Sequence, residues 1–376
     1  MARKAAPQTS QPRDSLPRRY NSYVPKADLR ESRPDGPAVE PAPKRHILLR
    51  IAIWTLLVLL VLGLLVGVWD ARNISAATTK LFGSGNLLSL VSASSLRTDS
   101  SGRVDVLVAG YSIDDPGHNG AALTDSIMLL SMNPSDNTGY MLSIPRDLYV
   151  EIPGYGHAKI NEAYKDGGMD LLVQAVNNIF DTQVGYYALV DYTAVRSIVD
   201  AVGGIDVTIN SPDGRLYDPN KDWSTGGVLV DLTNGSHHLE GEQALDLTRA
   251  RGDPSPYGDP VGFGQSDFQR TADQRLVFAA IKSKMNWHLI LNPRQNGKIL
   301  NAIADNVKTN IGIDEARPLF SLFNRIPSDK LQSASLRDLN GRNYLIGSDY
   351  EGDTLTPAAG LNDYSQINDA ISQLNR

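Results

Sequence analysis

The sequence predicts an α/β layered domain placed behind a single membrane-spanning segment. Two observations carry this. From Val104 onward, strand-like apolar runs alternate with helical spacings, the signature of a layered sheet-and-helix domain. Ahead of them, residues 51–69 contain no charged side chain. That run approaches the roughly 20 residues needed to cross a bilayer.

The elements follow in order. Residues 1–46 are rich in Pro, Arg, Ser and Ala without apolar period, and read as a disordered cytoplasmic tail. Residues 47–69, within "KRHILLRIAIWTLLVLLVLGLLVGVWD", read as the transmembrane helix. A secretory signal has a shorter apolar stretch and a small-residue cleavage site, and neither is found here. Lys44, Arg45 and Arg50 flank the N-terminal side, while Asp70 and Arg72 follow the run. The positive-inside rule then leaves the tail in the cytoplasm and the rest outside, as a single-pass protein of the cell membrane. Residues 70–103 are Ser/Gly-rich and read as a juxtamembrane connector. The domain is expected over 104–376.

"VDVLVAG" reads as a first buried strand ending in glycine. "DSIMLLSMN" and "GYMLSIP" are the next two, joined by the turn-like "PSDNTG". "MDLLVQAVNNIF" and "YTAVRSIVDAV" have helical spacing, and the short strands "GYYALV" and "GIDVTI" follow them. "EGEQALDLTRAR" reads as a helix running into a charged end, and "DFQRTADQRLVFAAIKSKM" as a long amphipathic helix. The remainder, from Asn292, reads as helices and short strands that finish the domain.

Composition excludes several classes. The chain has 376 residues, 41 % hydrophobic and 21 % charged, with net charge −6. This gives no bulk argument for nucleic-acid binding. Cysteine is absent, which removes disulfides, thiol catalysis and thiolate metal sites. No G-x-G-x-x-G, phosphate-binding Walker loop, G-x-S-x-G or H-E-x-x-H occurs. His237 and His238 are adjacent, look loop-like and read as surface.

What remains is arginine in structured settings. Arg146 interrupts apolar alternation in "MLSIPRDLYVEIPG". Arg249 and Arg251 are two apart, and share one face if the chain is extended there. Asp267, Arg270 and Gln274 fall on one helical stripe. Guanidiniums repel one another unless an anion lies between them, and their forked donors suit phosphate oxygens. Ordinary surface ion pairs are the competing reading.

"SIPRDLYVEIPG", "KINEAY" followed by "GG", "VDAVGGIDV", "LEGEQALDLTRAR" and "DFQRTADQ" resemble, in order and spacing, the LytR–CpsA–Psr proteins. The resemblance implies a three-layer α/β/α sandwich around a mixed sheet, with a tunnel for a lipid chain. It implies an enzyme that moves a glycopolymer from a polyprenyl (pyro)phosphate carrier onto peptidoglycan outside the cell, with Mg²⁺ as cofactor. The alternatives are a polyprenyl-pyrophosphate hydrolase and a non-catalytic lipid-phosphate-binding envelope protein. By position, Arg146, Arg249, Arg251, Arg270 and Asp125 would be catalytic. Lys159, Gln274, Asp147 and Asp267 would bind substrate or orient its ligands. Asp125 would hold the metal, with Asp114 or Asp115 standing in as a second carboxylate. The chain departs from the family pattern at Leu123 and Asp273, where arginine is usual, and at Ser112, where aspartate is usual.

Overall fold

A computed structural model describes residues 75–80, 94–111, 123–210, 216–218, 228–230, 232, 234–250, 266–285, 293–350 and 352–374. Among them no helix is long and apolar enough to cross a membrane. The span expected over 47–69 and the tail before it lie outside the described residues.

The centre is a six-stranded mixed sheet. β1 (Val104–Tyr111), β2 (Thr124–Asn133) and β3 (Thr138–Ile144) form an antiparallel meander. The β2–β3 turn is closed locally, with Ser135 N donating to Asn133 Oδ1 at 2.9 Å and Asn137 in the left-handed region. β4 (Tyr149–Ile152) and β5 (Gly156–Lys159) make a separate hairpin immediately after β3. β6 (Tyr186–Asp191) lies parallel to β1 on its other side. β11 (Val307–Thr309) pairs antiparallel with β6, and β12 (Leu331–Ser335) pairs parallel with β3. The order is therefore β11-β6-β1-β2-β3-β12. β1, β3, β6 and β12 run the same way, so their last residues Tyr111, Ile144, Asp191 and Ser335 share one end of the sheet with the start of β2.

Period-2 alternation divides the strands between two cores. Leu107, Ala109, Ile127, Leu129, Leu142 and Ile144 face α1 (Glu162–Phe180) and α7 (Ser365–Leu374). Val104, Val106, Met128, Leu130 and Met141 face the opposite way, toward α4 (Ser266–Lys284) and α6 (Ile313–Arg325). Helices thus cover both faces, giving the three layers. A second core joins α4 to α2 (Tyr192–Val202), α3 (Gly241–Arg249), α5 (Pro293–Asn306) and the pair β7 (Ile205–Ile209) and β10 (Gly235–Leu239). β8 (Leu216–Asp218) pairs with β9 (Val228–Val230), and β13 (Leu345–Ser348) with β14 (Thr354–Pro357).

Three expectations need correction. α4 is not amphipathic against solvent. Arg270, Thr271, Asp273, Arg275 and Lys282 are buried along with Val277 and Ala280, because the helix is wedged between the sheet and the second core. His237 and His238 lie on β10, not in a loop, although His238 is exposed and bonds Asp206 Oδ1 at 2.7 Å. The helix expected from Met169 begins earlier, at Glu162, and kinks at Gly167 and Gly168.

Two glycines are fixed by geometry. Gly168 sits at φ 69°, ψ −165°, a region essentially closed to residues with a Cβ. Gly168→Ala is expected to cost about 1–3 kcal/mol in urea unfolding. Gly241 starts α3 where an added Cβ would lie 2.3 Å from the Arg196 carbonyl of α2. The amide of Gly241 donates to Asp200 Oδ1 at 2.7 Å, and Glu240 and Gln243 complete a capping box. This is the physical content of "EGEQ": it sets the direction of α3 and so the position of Arg249 at its end.

The segment ahead of β1 is strapped down. The Arg97 guanidinium makes a two-pronged contact with Glu315, at 2.9 and 2.6 Å, and lies 4.6 Å over the Tyr186 ring.

Candidate functional site

The site forms at the sheet end that β1, β2, β3 and β12 share. The β1–β2 register runs Gly110↔Ser126 and then Tyr111↔Thr124, skipping Asp125. Asp125 is therefore the extra residue of a β-bulge, a device that re-aims a side chain at a strand end. Only 5 % of Asp125 is exposed. β3 stops at Pro145, which cannot donate to the ladder, and Arg146 and Asp147 follow before β4 begins.

These breaks bring opposite charges together. Arg146 Nη1 donates to Asp125 Oδ1 at 2.6 Å, and Arg146 Nε lies 3.5 Å from Asp147 Oδ2. Lys159, at the end of β5, reaches Asp147 Oδ1 at 3.3 Å. Asp147 thus stands between two cations. From α4, Arg270 Nη2 donates to the Asp125 carbonyl at 3.2 Å. Asp125, Arg146, Asp147 and Arg270, with Ser143 and Ser335, line a small cleft of about 30 Å³.

A larger apolar cavity lies beside it. It has a volume of about 220 Å³ between the sheet and helices α2, α4 and α5, with walls including Val108, Val195, Ile198, Phe278 and Ile281. A second cavity of about 270 Å³ lies toward α6 and shares Val108, Phe278 and Ile303 as walls with the first. Ser143 lines both the small cleft and the first cavity. The two therefore meet through one wall residue.

Polar groups ring that junction. Ser126 Oγ donates to Gln274 Oε1 at 2.6 Å, and Gln274 Nε2 donates to the Thr248 carbonyl at 3.2 Å. Arg275 extends the ring: its Nε donates to Ser333 Oγ at 2.7 Å and its Nη1 donates to Ser143 Oγ. Burial pushes this guanidinium down to about 10, so it stays cationic at neutral pH on the cavity wall. Sequence spacing did not single out Arg275, because it falls off the stripe of Asp267, Arg270 and Gln274. Its position directly after Gln274 is the available signal.

Six expected site residues therefore converge: Asp125, Arg146, Asp147, Lys159, Arg270 and Gln274. Arg249 is the last residue of α3, half-buried, and follows the Thr248 carbonyl that holds Gln274. Arg251, Asp114 and Asp115 lie outside the described residues, as does the side chain of Asp267. Among the described residues no group of three His, Cys, Asp or Glu side chains is placed to hold a metal. Of the carboxylates that the resemblance implies for a metal, Asp125 is among the described residues. One carboxylate suits Mg²⁺, which keeps several waters and takes its other ligands from phosphate oxygens.

The LytR_cpsA_psr family model matches residues 70–358, which include all of this geometry. The chain belongs to the LytR_cpsA_psr family. Among similar proteins is a polyisoprenyl-teichoic acid–peptidoglycan teichoic acid transferase TagU of Enterococcus faecalis. It is 33 % identical over 236 residues, covering 60 % of this chain and 69 % of that protein. A protein of the same name from Bacillus cereus is 37 % identical over 213 residues, covering 56 % of this chain and 62 % of the relative. The chain thus spans somewhat under two thirds to just over two thirds of these relatives' lengths. Solved structures agree in fold. B. subtilis TagV has a TM-score of 0.54 at 26 % identity, covering 73 % of this chain and 97 % of that one. A structure described as TagT bound to LI-WTA has a TM-score of 0.53 at 25 % identity, covering 73 % and 91 %.

Proposed function

We propose that this chain transfers a glycopolymer from a polyprenyl (pyro)phosphate carrier to peptidoglycan at the outer face of the cell membrane. The single observation that carries the reading is the adjacency of a cationic cleft and an apolar cavity that share Ser143 as a wall residue. Arg146, Arg270 and Lys159 offer donors to phosphate, while the adjoining cavity offers apolar walls to a hydrocarbon chain. A ligand with a charged head and a long apolar tail matches both halves. The family membership and the relatives' teichoic acid transferase names support the same substrate class.

In this mechanism a peptidoglycan hydroxyl attacks the phosphorus that bears the glycan. The phosphoanhydride bond to the carrier breaks, and polyprenyl phosphate leaves with the electron pair. The hydroxyl proton passes to an aspartate, for which Asp125, Asp114 and Asp115 are the candidates. Arg146 and Arg270 donate to the oxygens on which charge develops, with Arg249 at the end of α3 as a further donor and Arg251 assigned the same role by the resemblance. Lys159 adds a third cationic position. Asp147 holds Arg146 and Lys159 at fixed places, which lowers the cost of ordering them around the phosphates. Gln274, clamped by Ser126 and Thr248, marks the boundary between head and tail. Asp125 would hold a Mg²⁺, which when bound would offset negative charge developing on the phosphate. The N-terminal segment anchors the domain by one span, with the tail in the cytoplasm.

The test uses the full-length protein in lipid vesicles with a polyprenyl-diphosphate-linked polymer and peptidoglycan. The expected result is polymer covalently attached to peptidoglycan, with polyprenyl monophosphate appearing in equal amount. Chelation should stop the reaction and added Mg²⁺ restore it. Phosphate release without polymer attachment would instead make the protein a hydrolase.

A further inference from the structure

The described residues expose four large apolar side chains: Tyr155, Ile346, Tyr350 and Leu361. All come from two segments, the β4–β5 hairpin and residues 346–361. These segments are joined to each other and to the phosphate cleft. Leu355 N donates to the Asp147 carbonyl at 2.9 Å, and Leu148 bridges to Leu355. Asn362 Nδ2 and His157 Nε2 lie 2.9 Å apart across the same seam.

An aromatic column stands on this seam. The rings of Tyr149 and Tyr350 are 5.3 Å apart and inclined by only 6°, and His157 stacks on Tyr149 at 5.7 Å and 30°. Strand pairing fixes which way the column faces. Tyr149 is paired with Lys159 and Glu151 with His157, so these four side chains share one face of the hairpin. Val150 and Ile152, both 0 % exposed, take the other face into the core. The central ring of the column, Tyr149, is therefore paired with Lys159, whose partner Asp147 also contacts Arg146. Tyr350 closes the stack and is 60 % exposed.

Tyr350, exposed at the end of a nearly parallel stack and held there by Tyr149, offers its outer ring face as a flat apolar shelf with a hydroxyl at its edge. One face of a pyranose ring is lined with C–H groups and its rim with hydroxyls, so the two surfaces match. Charge selects among polymers. Glu151, Asp349 and Asp353 stand exposed on the same segments, and Asp363 just beyond them. Like charges disfavour a phosphate-bearing polymer there and leave uncharged sugar rings as the fitting ligand.

We infer that the Tyr149–Tyr350 face is a subsite for uncharged pyranose residues, placed to present a glycan hydroxyl to the Arg146 cleft. Its assignment to the acceptor glycan, rather than to any other sugar polymer, rests on the transferase reading.

The experiment measures binding of a soluble N-acetylglucosamine tetramer to the full-length protein without donor, and then the acceptor KM in the transfer assay. Wild type is expected to bind the tetramer. Tyr350→Ala should weaken binding about tenfold and raise the acceptor KM to match, with donor Kd unmoved. Tyr350→Phe keeps the ring and should stay within about twofold of wild type. A glycerol-phosphate oligomer of similar length should not compete. No tetramer binding by wild type, equal binding by Tyr350→Ala, or effective competition by the phosphate oligomer would each overturn the inference. If the tetramer binds through Tyr350 but wild type transfers nothing, the subsite stands and the transferase reading falls. If wild type transfers with an acceptor KM that Tyr350→Ala leaves unchanged, the subsite falls alone.

Discussion

Arg146→Ala is expected to lower polymer transfer by about 10³-fold while leaving a folded protein. Arg146 reaches the cleft from the break between β3 and β4, where Pro145 ends the ladder. Its guanidinium joins Asp125 at 2.6 Å to Asp147 at 3.5 Å, so it is held before substrate arrives. A donor fixed in advance stabilises developing charge without paying for reorganisation during the reaction. The side chain is 21 % exposed, which limits the damage to folding. Removing it leaves Asp125 with one fewer donor, at a cost of about 1–3 kcal/mol. A thermal melt separates that loss from the kinetic one. Arg146→Lys keeps the charge and loses the fork, so it should recover only part of the activity. Full transfer by purified Arg146→Ala would end the case for an arginine cradle.

That prediction was legible in "SIPRD" because Arg146 breaks a strand pattern that is otherwise apolar. A polar residue at the end of a buried strand leaves a trace in the alternation, and so does the return of Lys159 after a short hairpin. The meander β1–β2–β3 was readable for the same reason: each strand is a continuous apolar run bounded by turn residues. Features set by tertiary packing left no such trace. Arg275 is buried like a core residue, but its charge makes it look like solvent-facing helix. The polar residues of α4 suggested a wet face, whereas the helix lies between two cores and spends those groups on the sheet and the cleft. The bulge at Asp125 depends on register with β1, which one strand's sequence does not encode. The stack of Tyr149 on Tyr350 joins residues far apart in the chain, so no local spacing announces it.

Val195→Trp is expected to impair long-chain carriers selectively. Val195 lies on α2 and lines the cavity of about 220 Å³ that meets the cleft at Ser143. An indole there would grow into space rather than into packed neighbours, so its folding cost should fall at or below the usual overpacking cost of about 1–3 kcal/mol. Each methylene kept from burial costs the ligand about 0.8 kcal/mol, so displacing two or more should raise the donor KM by at least about tenfold. The polar head would still meet Arg146, Lys159 and Arg270, which stand outside α2. A carrier truncated to two isoprene units does not need the full passage, and its KM should change much less. The ratio of the two KM values therefore reads the passage itself, apart from any general loss of activity. Equal effects on short and long carriers would mean that the hydrocarbon does not run between α2 and the sheet, and the apolar half of the proposed site would have to be sought elsewhere.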